Sequence, residues 1–250
     1  MENILLYFFL FITVIISGSS LFLFKTGNPK VLKLLLAFSG AFLLAISFLN
    51  LVPEIFEKGT ANIGAFILIG FVLQLLLELL TKGIEHGHGH AHECIEKHDH
   101  SEHFPKVAPI GLMIGICIHA FLEGMPIVES FNQQVQHSLT VGIIIHNIPI
   151  SIVLMSIFLQ AGMTKRKAFL LLAVFALMTP AGSMVSNLVS AEMTGSLSNY
   201  FDMILGVVVG IFLHVSTSIL FETSENHQYN IQKFITVLLG IGVAFLIPLH

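Results

Sequence analysis

Eight stretches of this chain are apolar for long enough that a helix built from each would cross a lipid bilayer. They run from Ile4 to Phe24, Val31 to Val52, Ile63 to Leu80, Val107 to Val128, Leu139 to Gln160, Ala168 to Val189, Met203 to Phe221 and Ile231 to Leu249. The hydrocarbon core is about 30 Å thick and a helix rises about 1.5 Å per residue, so about 20 residues span it. No water pairs with backbone groups there, which leaves only helices and closed barrels. Continuous apolar runs lack the two-residue alternation of a barrel strand, so a porin-type fold is excluded. The prediction is an all-α membrane protein, a single domain over residues 1–250 with eight transmembrane helices. Charged residues make up 10% of the chain, against about 25% in a soluble domain. The first run carries Glu2 and no basic flank, and it outlasts the apolar part of a cleaved leader, so it reads as a retained helix.

Basic loops stay on the cytoplasmic side of a membrane. Eight spans sort the basic residues into two sets. Lys25, Lys30, Lys33, Lys82, Lys97, Lys106, Lys165, Arg166, Lys167 and Lys233 fall on one side, and only Lys58 falls on the other. Both termini are therefore predicted outside the cytoplasm and the loop at about 82–106 inside it, in a plasma membrane. VPEIFE closes the second span and LFETSE the seventh, on opposite faces. That echo predicts an inverted repeat relating spans 1–3 to spans 6–8 around spans 4 and 5. The net charge of −4 is small and no basic block occurs, which argues against nucleic acid as a partner. Cys94 and Cys117 are the only cysteines; one is in a polar loop and one in an apolar run, so no disulfide framework is expected, and Cys117 reads as a small buried hydrophobe.

Ionisable side chains inside a span cost about 2.5–3.5 kcal/mol on insertion scales, so they face the bundle interior and carry function. The fourth span holds His119 and Glu123 in HAFLEG, four residues apart on one helix face, about 5–6 Å between Cβ atoms. The fifth holds His146 and Asn147 in HNIPIS. Pro149 has no N–H for the carbonyl of Ile145, and Pro126 none for that of Leu122. Two imidazoles and a carboxylate suit a borderline divalent metal such as zinc, with a fourth position open. One ligand charge against a dication permits release, as transport needs. The competing reading makes His119 and Glu123 a hydrogen-bonded structural pair. Asn50 and Glu54 on the second span are candidates for an entrance on the outer side. Gln74, Glu78, His214, Ser216 and Ser218 read as structural, and Gly64, Gly70, Gly206 and Gly210 as close-packing positions.

Between the third and fourth spans lies EHGHGHAHECIEKHDHSEH, with His86, His88, His90, His92, His98, His100 and His103. Closely spaced neutral imidazoles without fixed geometry suit transient metal binding, which would collect or sense metal on the cytoplasmic side. A solvated loop whose histidines do little is the alternative.

The chain resembles the ZIP family (Zrt/Irt-like proteins) of divalent metal transporters over its whole length. HAFLEG and HNIPIS on adjacent spans carry the specific part; LNLVPEIFE and the His-rich loop agree. The resemblance implies metal movement toward the cytoplasm. It also implies a transport bundle of helices one, four, five and six moving against a scaffold of two, three, seven and eight, and a homodimer. It puts the metal ligands on His119, Glu123 and His146, with Asn147 beside them. Many members have Asn after the fourth-span His, a carboxylate after the fifth-span Pro and an acid before the sixth-span Pro, where this chain has Ala120, Ile150 and Thr179. The inference is a single-metal site. The expected function is zinc uptake by alternating access, with Fe2+, Mn2+ and Cd2+ also acceptable to this ligand set. An intramembrane zinc hydrolase would need a spare acid or base, and HExxH is absent. A metal-responsive membrane sensor would bind metal without passing it.

Overall fold

The computed structural model describes residues 2–22, 29–57, 62–81, 109–128, 133–192, 197–222 and 231–247. All regular secondary structure among them is helical. Helix α1 covers Glu2–Ser19 and tightens into a 3-10 turn at Ser20–Phe22; α2 covers Pro29–Ile46 and passes through a π turn, Ser47–Leu51, into α3, Val52–Glu57. Then follow α4 (Ile63–Thr81), α5 (Pro109–Gly124), α6 (Gln133–Gln160), α7 (Lys165–Glu192), α8 (Leu197–Glu222) and α9 (Ile231–Ala244). Five stretches are long and apolar enough to cross a membrane: Ile4–Phe22, Lys30–Glu57, Gln133–Gln160, Lys165–Ser190 and Tyr200–Phe221. Ile63–Leu79, Gly111–Gly124 and Ile231–Ala244 are shorter apolar helices. The His-rich segment lies outside the described residues.

Two of the boundaries that differ from the sequence expectation bear on the candidate residues. The fourth span was expected to stay helical to Val128, yet α5 ends at Gly124. Pro126 comes after the helix, and the Leu122 carbonyl accepts the N–H of Met125 at 3.2 Å, so Pro126 does not free that carbonyl. The second span continues past Val52 through the π turn, which places Glu54 on a helix with only 5% of its surface exposed.

Local chemistry explains the joints. Between α6 and α7 the N–H of Met163 bonds to the Phe158 carbonyl at 3.1 Å and that of Gly162 to the Leu159 carbonyl at 3.1 Å. This is a Schellman closure, and Gly162 takes the left-handed φ of 76° that it requires. Thr164 then opens α7, its hydroxyl accepting the N–H of Lys167 at 3.4 Å. Several hydroxyls inside the spans bond back to a carbonyl one turn earlier, as Thr13 does to Phe9 and Ser47 to Leu43, which spares them a partnerless position in lipid.

The helices bury two apolar clusters. One is built from α2, α6 and α8, with Phe42, Leu43, Ile143, Val209 and Phe212 at its centre. The other joins α1, α5, α6 and α7 through Val14, Ile116, Leu154, Phe158 and Phe175. Only α6 contributes several buried residues to both, so His146 rides on the helix between them. Helix α4 packs on α5 and α8, α2 on α9, and α1 on α6 and α7. The outward faces stay apolar: Leu68, Leu79, Leu188 and Leu246 are each more than 60% exposed. In water such faces would aggregate; in a bilayer they are solvated.

Candidate metal site

Residues from two helices meet at one buried point. His119 and Glu123 come from α5 and His146 from α6, and one ligand atom from each lies within 4.8 Å of the others. All three are at most 1% exposed. His119 Nε2 and Glu123 Oε1 are 2.9 Å apart, and the two imidazole rings stand at 70° with centroids 6.1 Å apart.

His119 Nδ1 lies 2.9 Å from Oε1 of Gln74 on α4. An amide oxygen only accepts, so Nδ1 carries the ring hydrogen, and Nε2 of a neutral imidazole points its lone pair at Glu123. Two acceptors at that distance repel unless a positive charge sits with them, either a proton on Nε2 or a metal ion. Among the described residues neither ring nitrogen of His146, nor Oε2 of Glu123, nor Oδ1 of Asn147 has a hydrogen-bond partner. Leaving one such buried group unmet costs about 1–3 kcal/mol. A dication at this point would take one nitrogen of His146 and an oxygen of Glu123 and so meet part of that demand. Zinc with bonds of about 2.0–2.1 Å holds ligand atoms roughly 3.3 Å apart in a tetrahedron, which compares with 2.9 Å for the pair on α5 and with the 4.8 Å that bounds the group. Pro149 lies inside α6, and having no N–H it frees the Ile145 carbonyl next to His146.

The profile of the family described as ZIP zinc transporter matches residues 2–248. The chain belongs to the ZIP family. It is also similar to zinc transporter zipt-7.1 of Caenorhabditis briggsae, 22% identical over an alignment of 285 residues that covers 89% of this chain and 72% of that protein.

The remaining candidates of this ZIP protein sit elsewhere. Asn50, in the π turn, donates through Nδ2 to Ser138 Oγ on α6 at 3.1 Å. It and Glu54 are buried, and Glu54 is not in the three-residue group. His214 Nε2 on α8 lies 3.4 Å from Glu78 Oε2 on α4, and its ring meets Phe71 edge-on at 4.8 Å. Ser216 is buried. Cys117 is half-buried against the cluster of α1, α5, α6 and α7 rather than enclosed by it. Sequence reading assigned Gln74 to structure and so missed its contact with a ligand ring; its one visible signal was an amide in an otherwise apolar run.

The three departures from the family pattern are buried. Ala120 and Ile150 pack in the apolar cluster of α1, α5, α6 and α7, and Thr179 is 3% exposed.

Four glycines lock helix pairs together. A Cβ on Gly124 would come 2.0 Å from the Thr179 carbonyl oxygen, and one on Gly182 2.0 Å from that of Phe121, so α5 and α7 touch backbone to backbone on the turns that hold Glu123 and Thr179. Gly70 and Gly210 make the same reciprocal contact between α4 and α8, at 1.9 Å from the carbonyls of Val207 and Ile67. Gly206 abuts Ile63 and Phe66 side chains. Gly64 differs from the expectation of close packing, with no atom within 4 Å of an added Cβ.

Proposed function

We propose that this ZIP protein carries zinc toward the cytoplasm across the plasma membrane, through a single-ion site made by His119, Glu123 and His146 with Asn147 beside them. The observation that carries the reading is that three buried ligand side chains from two helices converge within 4.8 Å. Burial strips water from the ion, and one carboxylate against two positive charges keeps the hold loose enough for release. Apolar side chains at positions 120 and 150 leave no second set of oxygen ligands, in keeping with one ion. The expected topology is eight spans, counting α2 and α3 as one, with both termini outside. Packing of α2 on α9 and of α4 on α8 supports an inverted repeat, because that operation exchanges span 2 with 7 and span 3 with 8. Movement of the α1, α5, α6 and α7 cluster against the rest gives alternating access. The homodimer is carried over from the family resemblance. Asn50 and Glu54, on the outer half of the second span, are assigned to the entrance.

Proteoliposome uptake tests this directly. Reconstituted protein takes up radioactive zinc, with Fe2+, Mn2+ and Cd2+ competing to degrees that rank the site. Zinc that binds without entering the vesicles would favour the sensor and remove the transporter. A chain lacking residues 82–106, and with them His86, His88, His90, His92, His98, His100 and His103, is expected to retain transport and to bind one zinc ion by calorimetry. Complete loss of transport in a folded deletion would assign the loop to the pathway, and two tight ions in it would overturn the single-ion site.

A further inference from the structure

Gln74 is fully buried on an apolar helix, where an amide is costly unless its polar atoms are used. Its oxygen reaches His119 Nδ1 at 2.9 Å. A neutral imidazole has one ring hydrogen. If that hydrogen sits on Nε2 it points at Glu123 and occupies the nitrogen an ion would need. If it sits on Nδ1 it is spent on Gln74, and Nε2 is left as the ligand. The contact runs between two packed helices, of which α5 puts its buried residues into the cluster of α1, α6 and α7 and α4 contributes Ile63 to the other. Among the described residues His146 has no hydrogen-bond partner on either nitrogen. One ring of the group is thus held by a hydrogen bond from a neighbouring helix.

We propose that Gln74 is a positioning residue for ion binding: from α4 it fixes His119 in the tautomer and orientation that offer Nε2, and its grip ends when α5 shifts along α4. The inference rests on His119 being an ion ligand. It makes affinity depend on helix register, high while α5 lies as it does here and lower once the ring is released, so that release follows movement. Outer-shell partners of this kind change metal affinity by about 10–100-fold.

The test uses the full-length chain. In proteoliposomes Gln74→Leu is expected to raise the KM for zinc by about 10–100-fold while Vmax is kept, and Gln74→Glu, which retains an acceptor oxygen at the same reach, restores the KM. Nitrogen-15 NMR of the histidine rings, with the His119 signals assigned by their loss in His119→Ala, is expected to show Nδ1–H with a metal-bound Nε2 in the zinc-loaded wild type and a mixture of ring tautomers and binding modes in Gln74→Leu. Should Gln74→Leu not fold, Gln74→Asn keeps the amide but falls short of the ring and is read the same way. An unchanged KM, or a fall in Vmax alone with the ring tautomer unmoved, overturns the proposal. If wild-type protein takes up no zinc, the transport reading itself fails. Uptake lost in His119→Ala but normal in Gln74→Leu removes only the role of Gln74.

Discussion

Zinc uptake is expected to fall by about a hundredfold or more when Glu123 is replaced by Gln, the largest effect of any conservative change in the chain. Loss of an outer-shell partner already costs about 10–100-fold in metal affinity, and in the proposed site the negative charge comes from Glu123. The carboxylate is fully buried and faces His119 Nε2 at 2.9 Å. Gln keeps the size and one oxygen but removes the charge that offsets the dication. His119→Ala and His146→Ala are expected to reduce uptake comparably, and the double substitution little further, because a site of three ligands fails when any one goes. Initial uptake rates in proteoliposomes, normalised to inserted protein, measure this. If the three single variants transport at wild-type rates, the pathway lies elsewhere.

The second large effect concerns backbone contact. Gly182→Ala places a methyl group 2.0 Å from the carbonyl oxygen of Phe121, well inside any real contact, and the obstacle is main chain on both sides. Helices α5 and α7 must then part, carrying His119 and Glu123 with them. Overpacking of this kind costs about 1–3 kcal/mol; a lowered melting temperature in detergent and a severalfold loss of uptake are expected together. Gly64→Ala is the matched control. Nothing lies within 4 Å of its added methyl group, and alanine favours a helix over glycine by about 1 kcal/mol, so that variant is expected to melt at or above the wild-type temperature. Equal behaviour of the two alanine variants would show that the α5–α7 seam gives way freely.

The helices were legible because their composition leaves no other way to hide backbone polar groups in hydrocarbon. The convergence of three side chains was legible for the complementary reason: imidazole and carboxylate are expensive there, so His119, Glu123 and His146 stand out in a sequence of Leu, Ile and Phe. What could not be read depends on register between helices. Gln74 looked like any buried amide until α4 was seen beside α5. Gly64 and Gly70 share a helix, yet only Gly70 faces a neighbour's carbonyl; a glycine in a string of letters does not say which side it turns. The end of α5 was misplaced because Pro126 was taken as a kink inside a helix, whereas the chain stops being helical two residues before it. Glu54 was expected where a span runs out, and the π turn before it continues the helix instead.

That π turn has a consequence for the length of the chain itself. A helix that winds wider over Ser47–Leu51 accommodates one residue beyond what regular winding needs. Removing a single residue there should let the turn relax into ordinary α geometry while Glu54 keeps its inward aim. Removing one from regular helix in α2 should swing everything downstream by about 100° and drive that carboxylate toward the acyl chains. A shortened variant that still exports to the membrane and transports would mark this turn as a spare link, and Asn50 as the residue for whose sake it is kept.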